Sequence, residues 1–136
     1  MAVNQIYAPT PSKIRSRAVP SGTLAGVPLL IDTVPAFTLT ARADATRTDT
    51  LSDGTAITYK IGGVGSPAGE ATVAFDGTFE YAVTGATTST ASGVAVYITS
   101  GGALTLTAST NTLFGVTDYP TSYVKEAGRA PVKIGA

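Results

Sequence analysis

The sequence predicts a small all-β domain, a β-barrel or sandwich-like fold, with an extended N-terminal arm. Its 136 residues fall in the size range of one domain. Short runs rich in β-branched and aromatic residues alternate with glycine and polar turn residues, which is typical of strands and hairpins. Helical periodicity is nowhere sustained. We therefore expect an arm over residues 1–20 and a single β domain over residues 21–136.

The arm is predicted from its prolines and its alternating charges. Three prolines within the first 20 residues exclude a continuous helix and favour extended backbone. Lys13, Arg15 and Arg17 alternate with smaller or apolar residues, so in an extended chain the three cations share one face. We predict that Lys13, Ile14, Arg15 and Arg17 form a binding segment that adds to the edge of another sheet and faces acidic groups. A solvated tail is the alternative.

The strands of the domain follow from period-two alternation and β-branched runs. In chain order they are predicted at residues 23–32, 37–41, 55–61, 70–75, 78–84, 94–99, 103–107, 113–117 and 131–134. Pro28 places the first of them at a sheet edge or a bulge. Asp76-Gly77 predicts a tight hairpin turn, and Ser100-Gly101-Gly102 predicts a second hairpin.

Composition limits the chemistry that the chain can perform. There is no Cys and no His, which excludes disulfides, thiol nucleophiles and histidine-dependent acid–base catalysis. The apolar residues are largely Ala and Val, so we expect a thin core and some apolar surface that neighbouring subunits cover. No signal peptide is visible, and the apolar run at residues 24–31 is too short to span a bilayer.

Charge is unevenly distributed although its formal sum is zero. Residues 1–30 carry three cations and no acid, residues 31–118 carry three cations and eight acids, and residues 119–136 carry three cations and one acid. Basic ends around an acidic middle indicate contacts of complementary charge, with chance clustering as the alternative. A neutral chain lacks the positive field that nucleic-acid binding needs.

Candidate catalytic and cofactor motifs fail in their context. Residues 63–68 fit the letters of a dinucleotide fingerprint, but a strand rather than a helix is predicted after them. Residues 49–54 resemble a calcium loop with an apolar and a basic residue at two ligand positions. Asp76 is interpreted as a turn residue, and Glu80 as an outward-facing or intersubunit residue rather than part of a glycosidase pair. We expect no enzyme, cofactor or metal site, although the residue types leave a Ser–Lys dyad open.

Three glycine-punctuated strand segments carry a family resemblance. They are FDGTFEYAVT at residues 75–84, GVAVYI at residues 93–98 and NTLFGV at residues 111–116. Their order resembles the small capsid decoration, or cement, proteins of tailed bacteriophages. The resemblance covers residues 20–41 and 61–136. Residues 42–60 depart from it, and we interpret them as an inserted exposed loop or hairpin.

The resemblance implies a structural role on a virion. A decoration protein made in the bacterial host cytoplasm would bind the outer capsid surface, as a homotrimer, and stabilise the shell by bridging major capsid subunits. It would need no nucleic acid, membrane or small-molecule partner. Two alternatives stay open: another virion β protein, such as a tail-tube, head-completion or fibre-associated protein, and a carbohydrate-binding β domain.

Overall fold

Strands account for the regular structure of this chain, which we describe from a computed structural model over residues 4–62 and 67–135. One 3-10 turn, Pro11–Lys13, is the exception within these residues. The strands are β1 (Gln5–Tyr7), β2 (Ile14–Ala18), β3 (Pro28–Ile31), β4 (Val34–Thr38), β5 (Thr46–Thr50), β6 (Ala56–Lys60), β7 (Glu70–Ala74), β8 (Gly77–Thr84), β9 (Ala95–Ile98), β10 (Leu104–Thr105), β11 (Thr112–Thr117) and β12 (Arg129–Ile134). The predicted all-β class is confirmed.

Five strands close into a barrel. They follow one another in the order β8, β10, β9, β11 and β12, and β12 returns to β8 in register from Arg129↔Ala82 to Ile134↔Gly77. All of these pairs are antiparallel except β10 with β8. A bulge interrupts the β11–β9 pairing before Gly115, where an added Cβ would lie 2.4 Å from the carbonyl oxygen of Lys133. Glycine therefore permits the close approach of β11 to β12.

A second, antiparallel sheet packs against the barrel in the strand order β2, β7, β4, β3. Phe37 on β4 is fully buried and joins the two layers. Its ring stacks on Phe79 of β8 at 4.6 Å between centroids and meets Phe114 of β11 edge-on at 5.5 Å. The main core lies around this aromatic group, with small residues such as Ala74 and Ala130 filling the space between the layers.

The N-terminal segment, predicted as an arm over residues 1–20, pairs with strands of the rest of the chain. β1 pairs with β8, and β2 pairs with β7 from Ile14↔Ala74 to Ala18↔Glu70. The backbone is extended over Ile14–Ala18 as predicted. However, the sheet that this segment extends belongs to its own chain, since β2 pairs with β7, and Ile14 also packs against the main core.

The predicted hairpin at Asp76-Gly77 is wrong. β7 and β8 lie in different sheets, so the chain turns a corner there instead of folding back on itself. Gly77 has φ +105°, and an added Cβ would lie 3.0 Å from the carbonyl oxygen of Tyr7. The Asp76 carboxylate accepts hydrogen bonds from the Thr10 backbone N–H at 2.7 Å and from its hydroxyl at 2.5 Å. Asp76 therefore holds the N-terminal segment against the corner.

Other sequence predictions agree better with the structure. The hairpin across Ser100-Gly101-Gly102 is confirmed by the antiparallel pairing of β9 with β10. The predicted first strand, residues 23–32, is shorter than expected, since only Pro28–Ile31 is a strand, but it does lie at a sheet edge. The inserted segment is a hairpin: β5 and β6 pair from Thr46↔Lys60 to Thr50↔Ala56 in a sheet of their own. Every residue of β6 is exposed.

Candidate binding surface

A basic concavity lies on the face of the second sheet that points away from the barrel. Arg15 and Arg17 stand opposite Val73 and Ala71 in the β2–β7 register, so their side chains share the face that Val73 occupies. The concavity measures about 310 Å³ and is lined by Lys13, Arg15, Arg17, Ile31, Asp32, Val34 and Phe75. We call this surface the cation face.

The floor of the cation face is apolar. Beneath it lies a second small core of buried residues, Val19, Ala36, Ala71 and Val73. Ile31 and Phe75 pack against this core while remaining half-buried, and Val34 is 48% exposed. Arginine side chains can cover such a floor with their aliphatic stems while the guanidinium groups stay in water. The surface therefore combines apolar contact area with positive charge.

The cations of this surface are not neutralised by ion pairs among the described residues. Among the residues that the structure describes, Lys13, Arg15 and Arg17 form no ion pair, and Arg17 donates only to the carbonyl oxygen of Ser16 at 3.1 Å. The ion pairs of the described chain involve other arginines, namely Arg42–Asp44 at 3.3 Å, Arg47–Asp49 at 3.2 Å, and Arg129 with Glu80 at 3.2 Å and Glu126 at 3.6 Å. Asp32 lines the same concavity and offsets one of the three charges, so the surface keeps a positive excess that favours an anionic partner.

The structure brings together three of the four predicted binding residues. Lys13, Arg15 and Arg17 line the same concavity, as the alternation of the sequence predicts. Ile14 does not join them, since its side chain packs on the main core on the opposite face of the sheet. Ile14 therefore lies outside the cation face. Among the described strands β2 pairs only with β7, so β2 is an edge strand of its sheet.

Sequence reasoning missed the rest of the surface. Ile31, Asp32 and Val34 flank the β3–β4 turn, where Asp32 has φ +57°. Aspartate is one of the few residues besides glycine that adopt this conformation readily, so Asp32-Thr33 between two apolar runs was a usable turn signal. The turn was missed because residues 23–32 were predicted as a single strand.

The acidic residues considered for metal binding have other partners. Asp49, in the segment that resembles a calcium loop, accepts a hydrogen bond from the Tyr59 hydroxyl at 2.5 Å and pairs with Arg47. The backbone N–H of Thr55 donates to Asp53 at 2.9 Å and lowers the pKa of that carboxyl group. Residues 4–62 and 67–135 contain no group of three or more potential metal ligands. Of the predicted glycine-rich connection at 63–68, residues 63–66 lie outside the described chain.

Glu80 was predicted to face outward or towards another subunit, but within its own chain it fastens the loop before β12. It accepts a hydrogen bond from the Tyr123 hydroxyl at 2.6 Å and pairs with Arg129. Burial raises the pKa of Tyr123, and the hydrogen bond to Glu80 raises it further. A neutral phenol donating to a carboxylate explains both the contact and the direction of the shift.

This contact predicts sensitivity to alkali. Because the folded-state pKa of Tyr123 lies above its ordinary value of 10.0, its stabilising effect is complete below pH 10 and is lost as the pH rises further. We expect Tyr123→Phe to lose less stability than the wild type between neutral pH and pH values above 10. Thermal midpoints across this range measure the effect, with exposed Tyr7→Phe as the control. Parallel pH profiles for Tyr123→Phe and wild type would contradict it.

No helix among the described residues has the length and apolar character needed to cross a membrane. Comparison of the chain with protein-family models, with curated proteins and with solved structures found no match.

Proposed function

We propose that this chain is a structural protein of a tailed-phage virion that binds the outer capsid surface and bridges neighbouring major capsid subunits. The resemblance of its strand motifs to capsid decoration proteins supports this proposal. The structural observation that carries it is the cation face, in which three basic side chains and one acid surround a partly exposed apolar floor, and the basic side chains form no ion pair within residues 4–62 and 67–135. Such a surface suits an acidic protein partner.

Binding through the cation face becomes tighter when the same contact is made by several copies of the protein. An exposed ion pair contributes only about 0.2–1 kcal/mol. In a symmetric oligomer, which we propose to be a homotrimer, the same contact recurs in each copy and the avidity far exceeds one contact. A protein that needs no catalysis can hold a shell together in this way, since each added contact must break before the shell opens.

A second candidate is another virion β protein, such as a tail-tube, head-completion or fibre-associated subunit. The observation that favours it is the exposed β5–β6 hairpin, which forms a sheet separate from the body. A projecting hairpin suits ring or tube assembly. Such a protein should form large oligomers without capsids, whereas a decoration protein should stay a small oligomer until a capsid is supplied.

Charge reversal on the cation face tests the main proposal. We expect Arg15→Glu to weaken binding to capsids that lack this protein by up to about fivefold for each contact, and more strongly once the contacts act together. The difference should shrink at high salt because screening already reduces the attraction in the wild type. Co-sedimentation with undecorated capsids across a salt series is the measurement.

Lys60→Glu is the matched control, because it makes the same change in charge at an exposed residue of the separate hairpin. It should bind like the wild type. Equal weakening by both variants would assign the effect to net charge, and unchanged binding by Arg15→Glu would exclude the cation face as the capsid contact.

A further inference from the structure

The outer edge of β2 presents backbone groups to which another strand can bind. The Phe75 N–H donates to the Lys13 carbonyl at 3.0 Å, and the Val19 N–H donates to the Gly69 carbonyl at 3.1 Å, so Lys13 and Val19 turn these groups towards β7. Backbone groups of successive residues alternate between the two edges of an antiparallel strand. Ser16 lies at odd spacing from both of these residues, and its N–H and carbonyl therefore point away from β7.

The two edges of the second sheet differ in what limits the addition of a strand. At the far edge, β3 begins with Pro28, which has no N–H to donate. β2 contains no proline but carries Arg15 and Arg17. The Arg17 guanidinium donates to the Ser16 carbonyl at 3.1 Å and so lies beside one of the outward carbonyls. Charged side chains along an edge are one way in which natural sheets avoid pairing with another copy.

Pairing of β2 with β2 of a second copy would bring like charges together. Two copies of one edge meet in an antiparallel, two-fold arrangement. Centred on Ser16, this arrangement sets Arg15 directly opposite Arg17 of the second copy, and Arg17 opposite its Arg15. Both arginines turn their backbone groups to β7, so they would take the non-hydrogen-bonded positions of the new pair, where facing side chains lie closest. Like charges at such positions destabilise a strand pair.

The acidic residues near β2 do not stand at its outer edge. Asp32 follows β3, which is the strand of the sheet farthest from β2. Glu70 of β7 accepts a hydrogen bond from the Ser16 hydroxyl at 3.0 Å, and alternation places this contact on the face opposite the two arginines. Asp76 accepts its hydrogen bonds from Thr10. A carboxylate opposite the arginines must therefore come from another chain.

We propose that the edge of β2 accepts an extended segment of a partner protein that carries two acidic residues separated by one residue, and that it rejects a second copy of this chain. The backbone of the segment pairs with that of Ser16, and its two carboxylates face Arg15 and Arg17. The arginines thus select the partner by the spacing of its charges. This edge shares its cations with the proposed capsid contact, and the inference holds whether or not a capsid supplies the segment.

The protein itself supplies the probe for this selectivity. The double variant Arg15→Glu/Arg17→Glu has the same strand with acidic residues at both positions. In the register centred on Ser16, a pair of variant and wild type sets each introduced glutamate opposite an arginine. Variant and wild type should therefore bind one another at least about fivefold more tightly than either binds itself through β2, because two like-charge pairs become two opposite-charge pairs. Sedimentation equilibrium should give a larger average mass for the equimolar mixture than for either protein alone at the same total concentration.

Two controls separate strand pairing from general attraction. Arg47→Glu/Lys60→Glu makes the same change in net charge on the separate β5–β6 hairpin, and its mixture with the wild type should show no added association. Adding Ser16→Pro to the first double variant removes an outward N–H but none that faces β7. The mixed association should then be lost although the charges remain. Thermal unfolding confirms that each variant is folded.

Three results would overturn the proposal. Equal masses for the mixture and the separate proteins would show that the acidic strand does not bind. A mixed association that survives Ser16→Pro would show attraction between charges without strand pairing. Self-association of the wild type that Ser16→Pro abolishes would show that two copies pair at β2 despite their arginines. None of these measurements contains a capsid, so their outcome is independent of the capsid-binding test.

Discussion

Deleting residues 1–18 should abolish cooperative folding of the domain. The deletion removes β1 from the barrel strand β8 and β2 from β7, and with them the Ile14 side chain that packs on the main core. It also removes Asn4, whose amide donates to the carbonyl oxygens of Gly26 at 3.0 Å and Glu80 at 2.8 Å. Small domains are stable by only about 5–15 kcal/mol in total, so losing two paired strands removes a comparable amount.

The measurement is circular dichroism with thermal and urea unfolding of the truncated chain. Arg15→Glu is the control, because it changes the same strand without removing its backbone pairing or Ile14, and it should unfold near the wild-type midpoint. A truncated chain with a cooperative transition at the wild-type temperature would show that β1 and β2 do not support the domain. Capsid binding is therefore best tested by charge reversal and not by truncation.

The N-terminal segment shows where local sequence stops being informative. Its extended backbone was predictable, because prolines and period-two alternation are local signals. Its partner was not, since β2 pairs with a strand that lies more than fifty residues further along the chain. The alternation of Ile14 and Ser16 with Arg15 and Arg17 fits an edge strand and a solvated arm equally well. The deciding factor is whether an apolar surface is available for Ile14.

The corner at Gly77 is a related case. A glycine with positive φ after aspartate is typical of a hairpin turn, and it also permits a sharp bend between two sheets. In the sequence, a hairpin and a bend between two sheets show the same pattern, namely one strand, an Asp-Gly turn and a second strand. Only the pairing partners distinguish them, and β7 and β8 each find theirs in distant segments.

Only the part of the cation face that lies on one strand could be predicted, because local patterns do not show which distant segments come together. The three cations follow one another on a single strand, so their shared side could be deduced from alternation. The floor combines Ile31, Val34 and Phe75 from three different strands or turns, and no local pattern places them beside Arg15. By contrast, the β5–β6 hairpin is local, and the segment was predicted as an inserted loop or hairpin, although its apolar side was not predicted.

The sequence also gives no sign that one phenylalanine connects both layers. Phe37 lies in an ordinary alternating run, yet it contacts Phe79 and Phe114 in the barrel and lies 6.2 Å from the Tyr81 ring centroid in an edge-on arrangement. The buried core around it contains two further phenylalanines, Phe79 and Phe114, and otherwise consists of aliphatic side chains. Removal of the Phe37 ring would therefore leave a cavity where the two layers meet.

Replacing Phe37 with Ala is therefore expected to destabilise the domain by about 3–5 kcal/mol, the range for removing a buried aromatic side chain. The loss combines the removed apolar area with a cavity between two sheets that meet through this ring, so relaxation in one sheet cannot fill it.

Phe37→Leu is the matched control. It keeps most of the volume and should cost clearly less, although it loses the ring contacts, which contribute about 0.5–1.5 kcal/mol each. Urea unfolding at 25 °C measures both free energies. If Phe37→Ala costs no more than Phe37→Leu, the two layers do not depend on this ring, and the second sheet must be held on the barrel by its backbone connections and smaller side chains.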